Sequence, residues 1–208
     1  ISTFRVDNDL LKRVEVVKGA SSVLHGSGAI GGIVSMQTKS VDDFIVGGKN
    51  YGVMIGHRQE SNNMNSNRGA LAFKPVENLG FLFYGKHADH GDIKLADGGV
   101  SNVKIGKKVE DIKSIGNDER INTIFGKIEW DITDEHELDF SVFNYHENLV
   151  TGWQSLWRLQ DGTTGRIKQR DYNVAYKYSP INNPWVNLSA QYYNTESSYH
   201  RVAEDVDY

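Results

Sequence analysis

Seven histidines and a run of closely spaced glycines are the residues with the most chemistry to offer in this chain of 208 residues. Imidazole is a common transition-metal ligand and a charge switch near neutral pH. His87 and His90 stand beside Asp89 and Asp92, so a transient capture site and an ordinary solvated loop are both open there, the solvated loop being favoured. His57, His146 and His200 fall near the outer ends of predicted strands, and His136 falls in a predicted turn. The glycines Gly26, Gly28 and Gly31 formally match the G-x-G-x-x-G fingerprint that cradles a dinucleotide pyrophosphate. Carboxylates cluster at Asp89 and Asp92 and at Asp134, Glu135 and Glu137, in predicted loops and turns rather than across a cleft, so general acid/base chemistry has no evident pair. Without cysteine there is neither thiol catalysis nor a disulfide framework. No catalytic constellation emerges, and the chain is not expected to be an enzyme.

The elements around the glycines decide between nucleotide binding and a structural turn. Arg13 and Glu15 alternate with Val14, Val16 and Val17, the period of a half-buried strand, and Gly32 to Thr38 alternates again. Between them Gly26, Gly28, Gly31 and Gly32 permit a tight fold-back. A dinucleotide site needs a helix to open at the glycines inside a βαβ unit. Here they run straight into the strand-like GGIVSMQT, so the glycines read as an elbow.

Composition narrows the class. The chain is 38% apolar and 24% charged, with 21 Gly, 3 Pro and a net charge of −4. A mean hydropathy of −0.50 and the lack of any apolar run near 18 residues exclude a membrane-spanning helix. They do not exclude a transmembrane barrel, whose strands alternate lipid-facing and lumen-facing residues. Mild acidity argues against a nucleic-acid partner. No signal peptide is visible and the chain opens within a motif, so an internal piece of a longer protein is expected.

From residue 51 onward, strand-like segments alternate with connections of two lengths. Strands are predicted over 51–59, 68–74, 80–87, 121–132, 138–145, 171–178 and 185–193, with a polar hairpin at 62–67. Turns at 75–78, 133–137 and 179–184 are short, whereas loops at 89–118 and 148–168 are long. Sorting of loop length by end is the habit of outer-membrane barrels, and a soluble sandwich has no reason for it. Phe73, Phe81, Trp130 and Trp185 lie beside the short turns, and Tyr145, Trp153, Trp157 and Tyr199 near the long loops, as two interfacial girdles would. Tyr172, Val174, Tyr176 and Tyr178, and then Val186, Leu188, Ala190 and Tyr192, should meet lipid. Asn173, Ala175 and Lys177, with Asn187, Ser189 and Gln191, should face the lumen.

The elbow carries a family resemblance. Val14, Glu15, Val16, Val17, Lys18, Gly19, Ser22, Leu24, Gly26, Gly28, Ala29, Ile30, Gly31, Gly32 and Ile33 follow in order the pattern that ends the plug domain of TonB-dependent outer-membrane receptors, which this segment resembles. The resemblance implies an all-β fold: residues 1–42 as the C-terminal part of a plug domain, and 43–208 as about seven antiparallel strands of a transmembrane β-barrel that needs about 22 to close. It places the protein in the bacterial outer membrane among its lipids, with TonB engaging an upstream segment. The STF-x-VD-x-DLLKRVEVVKG opening, the GSGAIGGIVS elbow and the Lys86 to Ile93 segment resemble the haem and haemoglobin receptor branch. That implies import of haem, captured from haemoglobin or another host haem protein, with haem as transported ligand. In that branch one axial histidine lies just upstream of the position of Ile1 and another in a later loop near FRAP and NPNL motifs, so neither axial ligand nor any metal site is expected within these residues. A ferric siderophore or cobalamin remains an alternative cargo, and a non-transporting adhesion barrel an alternative class.

The resemblance also frames individual residues. Gly19, Ser22, Gly26, Gly28, Gly31 and Gly32 are expected to be structural parts of the plug. Arg13, Glu15 and Lys18 either pair with barrel-wall charges or are ordinary strand polarity. His25, where the family more often has Tyr, is expected to pack or hydrogen-bond, with ligand contact as the alternative it shares with His87 and His90. Trp153 and Trp157 either touch the host haem protein or anchor the loop at lipid headgroups.

Overall fold

The computed structural model describes residues 5–19, 31–61, 63–96, 99–105, 108–151, 163–183 and 185–203. Asp7 caps a 3-10 turn, Asn8–Leu10, its carboxylate accepting from the Asp9 N–H at 3.0 Å. β1 (Leu11–Lys18) follows and pairs antiparallel with β2 (Gly32–Thr38) in a two-stranded ladder, as the alternation predicts. Gly32 sits at φ +146°, and a Cβ there would lie 2.6 Å from the Val17 carbonyl oxygen. Only glycine closes this ladder without displacing the opposite backbone.

The rest of the chain is one meander with an insertion. β3 (Tyr51–Glu60), β4 (Met64–Val76) and β5 (Leu79–His90) run up and down in turn. Two small ladders then intervene: β6 (Ile93–Lys94) pairs with β9 (Ser114–Ile115), and β7 (Val100–Ile105) pairs with β8 (Lys108–Ile112). β10 (Asn117–Thr133), β11 (His136–Thr151), β12 (Thr163–Tyr178) and β13 (Leu188–Ala203) complete a seven-stranded antiparallel sheet in the order β13-β12-β11-β10-β5-β4-β3.

Most strands run further toward the long connections than the sequence reading has them. The segment 89–118 is not a plain loop, because β5 continues to His90, β10 starts at Asn117 and the four short strands lie between. Leu149 and Val150 belong to β11, so the second long connection shrinks to 152–162. Met64 already opens β4, whereas β13 begins only at Leu188, leaving Val186 and the exposed Trp185 in the preceding turn. Beyond the apolar band both faces of a strand are wet, so hydrogen bonding continues while hydrophobic alternation stops.

The two faces of the sheet differ sharply. One carries Ala70, Ala72, Leu82, Tyr84 and Phe125, buried against Leu10 of the 3-10 turn and Val41 of the segment after β2. This face is thin where the chain approaches: a Cβ on Gly80 would lie 3.1 Å from the Val41 side chain, and one on Gly52 would lie 1.9 Å from the Phe44 carbonyl oxygen. On the other face the register sets Tyr51, Phe73, Phe81, Ile128, Phe140, Val174 and Tyr192 side by side across all seven strands. Val53, Leu71, Phe83, Val142 and Tyr172 form the next row. Val53 is 63% exposed and Ile55 87%, and no described element covers this face. So large a bare apolar surface fits hydrocarbon better than water.

Toward the long connections the same outer face turns polar, through the row His57, Asn67, His87, Asn122, His146, Lys168 and Ser198. Tyr145 does not join an outer girdle. It is 6% exposed on the inner face, beside Glu147, and Tyr199, opposite the buried Ile167, shares that inner face.

Candidate functional site

The chemistry of this chain is concentrated where the N-terminal segment meets the inner face of the sheet. Alternation puts Arg68 of β4 and Lys86 of β5 on that face, and the register makes them direct neighbours. The 3-10 turn presents Asp7 and Asp9 to them. Arg68 donates from Nη1 to both Asp9 carboxylate oxygens at 2.8 Å. Lys86 Nζ reaches Asp7 Oδ1 at 3.3 Å and Asp9 Oδ2 at 3.4 Å, and the Tyr84 hydroxyl donates to Asp7 Oδ2 at 3.3 Å and Asp9 Oδ2 at 3.4 Å. Burial pushes the Asp9 carboxyl upward, but the Arg68 hydrogen bond and the two cations outweigh it and hold Asp9 below its ordinary value of 3.8.

A second tie joins the segment to β11 and β12. Arg5 N–H donates to Gln169 Oε1 at 2.8 Å, and Gln169 Nε2 returns a bond to the Arg5 carbonyl at 3.1 Å. The Arg5 guanidinium lies 3.3 Å from the carboxylate of Glu147, which is almost fully buried and also accepts from the Tyr145 hydroxyl at 2.6 Å. A third tie fixes the crossing into the wall. Glu129 accepts from Val41 N–H at 2.9 Å, Lys74 pairs with Asp42 at 2.6 Å, and Lys12 pairs with Asp43 at 2.9 Å.

Between the segment and the wall lies a cleft of about 220 Å³ lined by Asp7, Lys86, His90, Ile121, Thr123 and Tyr145. His90 Nδ1 lies 2.5 Å from Glu119 Oε2 at its edge. His87, three residues earlier, points the other way, onto the outer face, where it meets Asn122 at 2.8 Å and Asp89 at 2.8 Å. Strand parity therefore places on opposite faces the two histidines that the sequence sets side by side. Among the described residues no group of three or more His, Cys, Asp or Glu is arranged to hold a metal ion.

The comparisons agree with this arrangement of a short segment tied inside a strand wall. The family described as TonB-dependent Receptor Plug Domain matches residues 1–33. A protein named hemin receptor from Yersinia enterocolitica is 31% identical over 202 residues, covering 94% of this chain and 27% of the relative. The chain belongs to the TonB-dependent receptors. A TonB-dependent heme receptor A from Haemophilus influenzae is 28% identical over 215 residues, covering 90% of this chain and 26% of the relative. Among solved structures the FrpB iron transporter of Neisseria meningitidis superposes with a TM-score of 0.79 at 24% identity, over 96% of this chain and 31% of that one. The chain thus spans about a quarter of the length of the curated relatives it matches. The chain joins plug to barrel wall, and the protein resides in the outer membrane.

Arg13 and Glu15 pair with each other along β1, and both are exposed together with Lys18. Among the described residues they meet no barrel side chain, and the wall ties come instead from Arg5, Asp7, Asp9, Val41 and Asp42. Gly19 at φ +104° and Gly31 flank the elbow, the Gly19 N–H donating to the Gly31 carbonyl at 3.2 Å. Ser22, His25, Gly26, Gly28, Trp153 and Trp157 lie outside the described residues. Sequence reasoning missed Asp7, Asp9, Arg68, Lys86 and Glu147. Their signal was lumen parity in strands plus the V-D-x-D spacing, but only the register shows that they converge.

Proposed function

We propose that the protein containing this chain actively imports haem across the outer membrane, taking it from haemoglobin or another host haem protein, with energy delivered by TonB to a plug segment upstream of this chain. The observation that carries this reading is the likeness along 94% of the chain to a relative named hemin receptor. The plug contacts support it. An energy-coupled gate must hold when idle and yield when pulled. Separate ion pairs and hydrogen bonds at Asp7, Asp9 and Arg5 suit that better than one continuous apolar seal, because polar contacts are readily exchanged for water.

In this reading residues 1–42 are plug and 43–208 barrel, since Val41 is fully buried in the plug-side core and the Lys74 to Asp42 pair pins the crossing. Haem is the substrate, and its axial ligands come from outside this chain. Trp153 and Trp157 reach the host haem protein, and His25 is structural.

Growth of the source bacterium under iron starvation tests the proposal, with haem or haemoglobin as the iron supply, in strains lacking the full-length gene or TonB. Both deletions should abolish growth on haem. Growth on haem that survives loss of the gene removes the reading. Loss confined to a ferric siderophore transfers the cargo to the class that the name iron transporter leaves open for FrpB.

A further inference from the structure

The outer face of β12 carries Arg166, Lys168 and Arg170 in succession at alternate positions, all exposed, directly above lipid-facing Tyr172 and Val174. Three cations spaced two residues apart on one strand face span about 13 Å. Their neighbours are set by register. Asn148 and His200 flank Arg166, His146 and Ser198 flank Lys168, and Asn144 and Glu196 flank Arg170. Arg166 donates from Nε to Asn148 Oδ1 at 3.2 Å, and among the described residues Lys168 and Arg170 make no ion pair. Glu196, across from Arg170, is the acid that borders these cations on the adjoining strands, and further along the rim Arg120 is already engaged by Asp89 at 3.6 Å.

A groove runs over this patch, lined by Asn144, His146, Lys168, Arg170, Glu196 and Ser198. In it His146 Nε2 is shielded from solvent without a hydrogen-bond partner among the described residues. β11 and β12 are paired on both sides, so their outer faces belong to the membrane surface whatever else the barrel contains. The patch starts where the apolar rows end, at the depth of the headgroups. Three adjacent like charges there are unfavourable until an anion joins them, and Arg and Lys are the side chains that bind phosphate.

We propose that Arg166, Lys168 and Arg170 form a binding site for the phosphorylated sugar headgroup of the outer-leaflet glycolipid, lipid A. The site reads phosphate on a rigid sugar headgroup against the wall: Arg170 and Lys168 take phosphate at the apolar boundary, Arg166 extends the contact outward, and Asn144, His146 and Ser198 offer hydrogen-bonding groups for sugar hydroxyls. This rests on the outer-membrane family assignment and not on the identity of the cargo.

The full-length receptor, purified in detergent, is titrated with bisphosphorylated lipid A and examined by native mass spectrometry. The triple variant Arg166→Gln/Lys168→Gln/Arg170→Gln should bind about a hundredfold more weakly, from roughly fivefold per charge. The charge-preserving variant Arg166→Lys/Arg170→Lys should keep most of the affinity, and heat-modifiable migration of both variants shows that the barrel assembled. Dephosphorylated lipid A should bind no better to the wild type than bisphosphorylated lipid A does to the triple variant. Undiminished binding by the assembled triple variant overturns the proposal. So does equal competition by phosphatidylglycerol or inorganic phosphate, which would reveal a generic charge effect. A triple variant that keeps lipid A but loses a soluble protein partner reassigns the patch to that partner.

Discussion

Asp9 shows how a single carboxylate can carry both attachment and pH response. It pairs with Arg68 and shares Lys86 with Asp7, so four charged groups from two strands and a turn meet on the lumen face. Its pKa is depressed in the folded receptor, first against the upward push of burial and then by the Arg68 hydrogen bond and both cations. A depressed carboxylate stabilises the folded form above its unfolded value, and that stability is lost as pH falls through the folded value. The plug tie should therefore be constant from pH 8 to about 5 and weaken below about 4. Asp9→Asn should lower plug stability by about 1–2 kcal/mol at neutral pH and remove that acid-side loss. Hydrogen exchange at the Leu10 and Lys39 amides of the full-length receptor, followed from pH 7 to 3, measures it. An unchanged acid profile in the variant would overturn the assignment of that loss to Asp9.

At the scale of elements the crossing from plug to wall depends on backbone approach. Gly52 of β3 faces the Phe44 carbonyl so closely that any Cβ would sit 1.9 Å from that oxygen. Gly52→Ala should push residues 41–45 off the wall, breaking the seat of Val41, at a cost of about 2–4 kcal/mol. The yield of heat-modifiable receptor in the outer membrane reads this out, and Gly85→Ala, where nothing lies within 4 Å, is the control that should leave it unchanged. These elements were legible in the sequence to very different degrees. β12 shows alternation so clean that Tyr172, Val174 and Tyr176 are assignable to one face without coordinates. β11 was harder, because Phe140 and Val142 face out while Phe143 and Tyr145 face in, and aromatics on both faces erase the period. That is why Tyr145 resembled a girdle residue and is instead a buried partner of Glu147. The elbow motif gave the plug hairpin, but the convergence of Asp7 and Asp9 on Arg68 and Lys86 depends on a register across elements some 60 residues or more apart, which no local pattern encodes.

For the whole molecule, the two faces of the wall impose opposite rules on the same strand. The apolar rows do not end at one register row. On β3 the outer face is still apolar at Ile55, whereas the residues in that row on β12 and β13 are Arg170 and Glu196. At the other edge the outer residues of β12 and β13 continue to Tyr178 and Leu188, beyond the row where β3 starts with Tyr51. Both edges shift the same way, as they must when strands tilt across a membrane of fixed thickness. Depth, not register row, then sets the cost of a charge. Val142 lies inside the band between Phe140 and Asn144, and Asn122 lies in the polar row beyond it. Val142→Arg should destabilise the full-length receptor by about 2–4 kcal/mol, and Asn122→Arg by about 0–1 kcal/mol. Equilibrium folding into phospholipid vesicles separates the two. Equal costs would mean that Val142 is covered by protein rather than lipid. The larger cost at Val142 would locate the hydrocarbon boundary between these rows, with Arg170 of β12 placed just outside it, where a cation can reach phosphate without leaving water.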